Sequence, residues 1–163
     1  MLELRLPGKV FLSEIRDLCG KVLLTLNEAT TTLDDLDLTG AMLDHIAADG
    51  LMCMGTRFDN ATFRNADLYW LIALGASFRN AVMDGCAFRG ADLKEVDFNG
   101  ASLRNAKFLL SNLGGRTDLS GADLSTAVVD GADFTGASYD RNTKFPPGFD
   151  PANHGLLKEQ SDR

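Results

Sequence analysis

The 163-residue chain has little with which to cross-link itself, span a membrane or hold nucleic acid. Its three cysteines, Cys19, Cys53 and Cys86, are an odd number with no close C-x-x-C spacing. That excludes a disulfide frame and a zinc site, and the thiols are expected to lie reduced in the core of a cytoplasmic protein. No segment approaches the roughly 20 apolar residues of a membrane helix. Glu3, Arg5 and Pro7 stand where a signal peptide would need its apolar run. Positive charge is scarce too: 16 Lys and Arg against 23 Asp and Glu leave a net charge of −7. Direct binding to nucleic acid needs a basic face, so it is not expected. An acidic surface still suits a basic protein surface, including one built to hold DNA.

What the chain does have is a period of five. In "FRGADLKEVDFNGASLRNAKF", Phe88, Leu93, Phe98, Leu103 and Phe108 recur every fifth residue. Cys86, Ala91, Val96, Ala101 and Ala106 each stand two places before one of them. The phase runs from about Leu38 to Leu113, through Leu43, Phe58, Phe63, Leu68, Phe78 and Met83. One extra residue enters at "LGGRTDL", and the register resumes at Leu119, Leu124, Val129, Phe134 and Tyr139. Within each five, the first and third residues point the same way, as in a strand, and these are the small and large apolar ones. The second and fourth are polar and face water. The fifth is often Asn or Gly, which tolerate the positive φ of a corner.

Short strands with one apolar side must close on themselves. Right-angled corners give a square of four pentapeptides, and successive coils then stack at about 4.8 Å. Residues twenty apart become neighbours: Phe58, Phe78 and Phe98 form one column, and Phe88 sits over Phe108. Outside, Asp59 meets Arg79, and Arg64, Asp84 and Arg104 alternate in sign on one wall.

The units "ADLYW", "ADLKE", "TDLSG", "ADLST" and "ADFTG" resemble the pentapeptide-repeat motif A(D/N)LxX, over about residues 36 to 139. The resemblance implies an all-β fold, a right-handed parallel quadrilateral β-helix. The closing "TKFPPGFDP" resembles the ending of many bacterial members. Ala73, Ala48 and Cys53 occupy central positions that want Leu or Phe, so the coil is expected to narrow or distort there.

Three regions follow: an N-terminal cap or degenerate first coils over 1–32, the repeat over 33–139, and a C-terminal cap and tail over 140–163. In the cap, Leu12, Ile15, Cys19, Val22 and Leu26 have helical spacing, and "KVLLTL" fits a strand equally. Strand-like first coils with a short helix near Leu12 to Leu18 are expected. Pro146, Pro147 and Pro151 cannot donate to a ladder and stop further pairing. Phe145 and Phe149 are expected to cover the last interior layer. "GLLKEQSDR" is expected to fray, the alternative being a partner-binding or dimerising helix.

No catalytic, cofactor-binding or metal-ligating set emerges. His45 and His154 lie at opposite ends, and neither a phosphate loop nor a G-x-S-x-G elbow occurs. Asp97 and Asp118, placed on one face, read as solvated wall carboxylates. The insertion at Gly114 and Gly115 is expected to be too short for a lid or pocket. An enzyme, a cofactor and a small-molecule substrate are therefore not expected.

The exception to polar walls is "ADLYWLIALGA", which sets Tyr69, Trp70, Ile72 and Leu74 at outward positions. Met52 and Met54 underlie Ile72 and Leu74, and Leu109 and Leu110 stand on the columns of Tyr69 and Trp70. A stacked apolar cluster with an aromatic centre has the character of a binding surface. The alternatives are that the N-terminal cap covers it or that the distorted coil turns these side chains inward. The function expected is a non-catalytic scaffold that binds a protein partner or a second copy of itself. The alternative, implied by the resemblance, is an acidic DNA mimic that binds DNA gyrase and protects it from quinolones.

Overall fold

Single parallel bridges, not long strands, build the chain from Asp37 to Lys144. The computed structural model describes residues 5–6, 10–11, 14–25 and 32–159. Four series of bridges run along it: Asp37–Arg57–Ser77–Asp97–Asp123–Lys144, Met42–Thr62–Val82–Ser102–Val128, Ala47–Asp67–Ala87–Lys107–Asp133 and Met52–Ile72–Asp92–Asp118–Ser138. The chain therefore winds as a β-helix solenoid, and before the insertion each bridge joins residues twenty apart, as Phe58 and Phe78 were expected to be.

The hydrogen bonds of one unit explain the composition of all. Between Thr56 and Ala61, the Arg57 N–H donates backward to the Leu36 carbonyl. The N–H groups of Phe58 and Asn60 donate forward to Ser77 and Arg79, and that of Ala61 closes a turn on Phe58. Only the fourth N–H has no place in ladder or turn. Aspartate supplies its acceptor in two ways. At the second position it takes the N–H two residues on, as Asp92 does for Lys94, Asp97 for Asn99 and Asp123 for Ser125. At the fourth it takes the equivalent N–H one lap later, as Asp44 does for Arg64 and Asp84 for Arg104. At the fifth position Asn60, Asn65 and Gly100 have φ of 59°, 53° and 73°, the left-handed region that Asn and Gly tolerate best.

Stacked rings fill the interior. Phe58 and Phe78 lie 5.1 Å apart, Phe78 and Phe98 5.6 Å, and Phe88 and Phe108 4.9 Å. Ala48, Cys53 and Ala73 are also buried, so the narrow stretch stays within the wall. Burial pushes the Cys86 thiol up to about 12 and that of Cys53 higher still. Cys19 departs from expectation: it is exposed, in the turn between two N-terminal strands. One buried hydroxyl, Thr62 Oγ1, has no protein partner among the described residues. Thr62→Val is therefore expected to raise stability by about 1 kcal/mol in urea titrations, because it removes a polar group and keeps the branch.

Charges outside follow the expected register but choose other partners. Asp59 accepts the backbone N–H of Arg79, while the Arg79 guanidinium pairs with Asp97 at 2.7 Å. Arg64 pairs with Asp44 at 3.1 Å and Arg104 with Asp130 at 3.7 Å. Asp97 and Asp118 belong to different series of bridges and do not share a face: the first bridges Asp123 and the second Asp92. Burial opposes the charge of Asp123, but hydrogen bonds from Lys144 and Ser125 prevail and hold its carboxyl far below the usual range. A hydrogen bond from Thr135 likewise lowers that of Asp133. The stability these groups lend is complete above their ordinary value of 3.8 and is lost as pH falls through the lowered folded value. Asp123→Asn should thus lower the urea midpoint at pH 7, and the gap from the parent protein should shrink below about pH 3.

Both ends add strands. β1 (Arg5–Leu6) pairs antiparallel with β2 (Val10–Phe11), and β3 (Glu14–Arg16) with β4 (Val22–Thr25). Glu14–Arg16 is thus strand where a short helix was expected, and Val22–Thr25 takes the strand alternative. Asp17 bridges Ala41, and the Met42 N–H donates to Arg16, which seats this hairpin on the first coil. At the other end β5 (Ser138–Tyr139) pairs in parallel with β6 (Leu157–Lys158). The expectation that this tail frays, or forms a helix, is overturned as far as Glu159, whose N–H donates to Tyr139 at 2.7 Å; residues 160–163 lie outside the described residues. Phe149 meets Phe134 edge-on at 5.4 Å, and Phe145 meets Tyr139 at 5.5 Å, closing the interior.

Candidate interaction surface

Trp70 occupies a corner. Its φ of 54° lies in the left-handed region, where most other corners hold Asn or Gly and where a bulky side chain is disfavoured. The next residue on that corner is Gly90, and the absence of a side chain there gives the indole its seat. A Cβ added to Gly90 would come within 2.6 Å of the ring. Beside it the Tyr69 ring lies 5.0 Å away. The Tyr69 hydroxyl donates to the Asn112 side chain and accepts the Asn112 N–H at 3.3 Å.

Asn112 belongs to an excursion that the five-residue pattern hides. Asp92 pairs with Asp118, a separation of 26 where Ile72 and Asp92 are 20 apart, so six residues leave the wall. These are residues 111–116. The Ser111 N–H donates to the Gly115 carbonyl at 2.7 Å, and the Gly115 N–H donates to Ser111 Oγ at 2.8 Å. At the base, Thr117 stands where an alanine is usual and accepts the Gly90 N–H at 3.1 Å. Leu113, expected in the interior, sits on this loop and is 74% exposed. The insertion is therefore a whole pentapeptide and one residue more, expelled together. The visible signal was the pair Gly114–Gly115 with a threonine in the alanine position.

The eight residues expected to form a surface divide by exposure. Trp70 (40%), Leu74 and Leu110 are exposed. Met52, Met54, Tyr69, Ile72 and Leu109 are half-buried. Met52 bridges Ile72, and the Gly55 N–H donates to the Leu74 carbonyl, so these two laps stack on one wall. Leu110 lies farther along the Trp70 corner, over Gly136. Around this corner, then, Trp70, Leu74, Leu110 and Leu113 present apolar surface to solvent.

The insertion also shapes a recess that was not expected. Asp67, Tyr69, Gly85, Ala87, Arg89, Lys107 and Asn112 line a volume of about 290 Å³. Ala87 makes its floor, since both neighbours on its ladder, Asp67 and Lys107, are longer. Arg89 makes no ion pair among the described residues, and neither does Asp67 in the same recess, so the lining carries unpaired charge of both signs. Among the described residues no cluster of His, Cys, Asp or Glu suits a metal ion, and no helix is long and apolar enough to cross a membrane.

Comparison with known proteins agrees with the geometry. The family described as pentapeptide repeats matches in 8 copies over residues 75–108 and 115–138, which leaves the excursion at 111–116 mostly in the gap. A pentapeptide repeat protein from Nostoc PCC 7120 is 30% identical over 63% of this chain and 84% of its own, with a TM-score of 0.43. One from the thylakoid lumen of Arabidopsis thaliana is 25% identical over 74% of this chain and 70% of its own, also with a TM-score of 0.43. QnrB1, a plasmid-mediated fluoroquinolone resistance protein, is 20% identical over 80% and 83%, with a TM-score of 0.27. No curated protein matches by sequence.

Proposed function

Because this chain belongs to the pentapeptide-repeat family, we propose that it is a non-catalytic scaffold that binds another protein through the Trp70 corner. In this reading the four series of bridges form the sides of a right-handed square coil, which holds the corner rigid. The observation that carries the proposal is Trp70 itself. A bulky residue at φ 54° costs backbone strain of about 1–3 kcal/mol, and Asn or Gly would relieve it. The ring lies outside the bore, across Gly90, and the residue stays 40% exposed. Strain kept at a surface aromatic, with Leu74, Leu110 and Leu113 exposed around it, suits a contact made with another molecule.

An acidic mimic of DNA has less support. A phosphate-like line needs unneutralised carboxylates in series, and here Lys94 bridges Asp92 and Asp118 at 3.2 and 3.3 Å. Arg79 holds Asp97, and Lys144 holds Asp123 at 2.8 Å.

The test is the double substitution Trp70→Glu, Leu74→Glu. Mass in solution and co-purifying partners are compared with the parent protein. Loss of the associated species with an unchanged far-ultraviolet spectrum supports the reading; unchanged association overturns it.

A further inference from the structure

Two of the four series of bridges stop a lap early. The bridges Asp123–Lys144 and β5–β6 carry two sides onward, but Val128 pairs backward with Ser102 and Asp133 with Lys107, and neither has a forward bridge among the described residues. The Asp133 side keeps the Gly136 N–H bond to the Gly155 carbonyl, and the Val128 side has no such bond among the described residues. The segment next in line is Pro146-Pro147-Gly148-Phe149. Its prolines lack the N–H that a ladder uses, and the Phe149 N–H turns back to the Pro146 carbonyl. Between that segment and the wall at 127–131 lies a recess of about 530 Å³, lined also by His154.

The free groups of this edge can be read from the preceding lap. There the Leu103 N–H donates to Val128, the Asn105 N–H donates to Asp130, and the Ala101 carbonyl accepts from Val128. The equivalent groups one lap on are the Val129 N–H, the Gly131 N–H and the Ala127 carbonyl, and none has a backbone partner among the described residues. Ala127 C=O and Val129 N–H flank Val128 as an incoming parallel strand requires. An antiparallel pair would need both groups of one residue, and the Val129 carbonyl is already taken by Ala132 in the turn.

We propose that this recess binds an extended peptide segment of a partner protein as a parallel strand, with an aliphatic-aliphatic-basic sequence. The first residue donates its N–H to Ala127 and accepts from Val129; the third accepts from Gly131. The side-chain preference follows from the columns. The first residue stands over Val128 and faces out, and the second turns toward the partly buried Val129 and Phe149. The third stands over Asp130, whose side chain is 81% exposed and already faces Arg104 on the other side. A Lys or Arg there continues the alternation of sign along this column.

The probe is acetyl-Gly-Val-Leu-Lys-Gly-amide, added to the full chain labelled with ¹⁵N. The amides of Val129 and Gly131 are expected to exchange quickly in the free protein, unlike those of Leu103 and Asn105. With peptide they should shift and slow, and N-methylation of the peptide valine should weaken binding about fivefold, the effect of one hydrogen bond. Asp130→Lys should reverse the preference, favouring the probe with Glu in place of Lys. Trp70→Glu with Leu74→Glu should leave this binding unchanged, which separates it from the Trp70 reading. Three results would each overturn the proposal: no response of the two amides at millimolar peptide, equal binding of the N-methylated probe, or protection without peptide that grows with protein concentration, the sign of a second copy in the slot.

Discussion

Phe78→Ala is expected to destabilise the protein by about 3–5 kcal/mol, the range for deleting a buried aromatic ring. Phe78 stacks between Phe58 and Phe98 and meets Phe63 edge-on at 5.6 Å, with 1% of its surface exposed. Its loss removes contacts with all three rings at once. The cavity cannot collapse easily, because the ladder hydrogen bonds hold each wall at its spacing: Phe58 N–H to Ser77 at 2.7 Å before it, Phe78 N–H to Asp97 at 2.8 Å after it. In a solenoid each lap touches only its neighbours, so a weak lap also divides the structure into two parts. Urea unfolding should therefore show both a lower midpoint and a shallower slope. A loss under about 1 kcal/mol would mean that the ring column is not what holds successive laps together.

For Trp70→Glu with Leu74→Glu, association through the corner is expected to weaken by at least about 30-fold, since a single buried aromatic anchor is often worth about 2 kcal/mol or more. Stability should change little: glutamate already occupies a left-handed corner in this chain, at Glu95 (φ 57°). The two readouts are therefore decoupled. A variant that loses its partner and keeps its melting temperature identifies a contact surface; one that loses both places the indole in the fold. Gly90 offers an independent check. Its replacement by alanine would displace the ring from its seat without adding charge, and tryptophan emission should shift to the red.

The residue pattern announced the corners and the interior before any coordinates. Alanine, an aspartate, a leucine or phenylalanine, then two polar residues is a local statement: which side faces in and where the chain turns. Such features depend on consecutive residues, and they recur intact at Phe58, Phe88 and Phe108. Twenty-residue neighbours followed from the same arithmetic. The ion pairs did not, because Arg79 can reach Asp97 as well as the acid beneath it, and exposed pairs differ by little energy.

Sequence by itself thus determined which residues line the bore and how far apart neighbours lie, because one apolar side and one tolerant corner per five residues leave the chain few ways to close. Only the tertiary structure decided that residues 111–116 leave the wall together, carrying Leu113 outward, and that β6 returns to the sheet after the chain passes two sides without a bridge. Those choices are settled by contacts made across many residues, such as Thr117 with Gly90, Tyr69 with Asn112 and Glu159 with Tyr139. A five-residue rule accommodates either outcome locally; competition for the same edge of the solenoid selects between them.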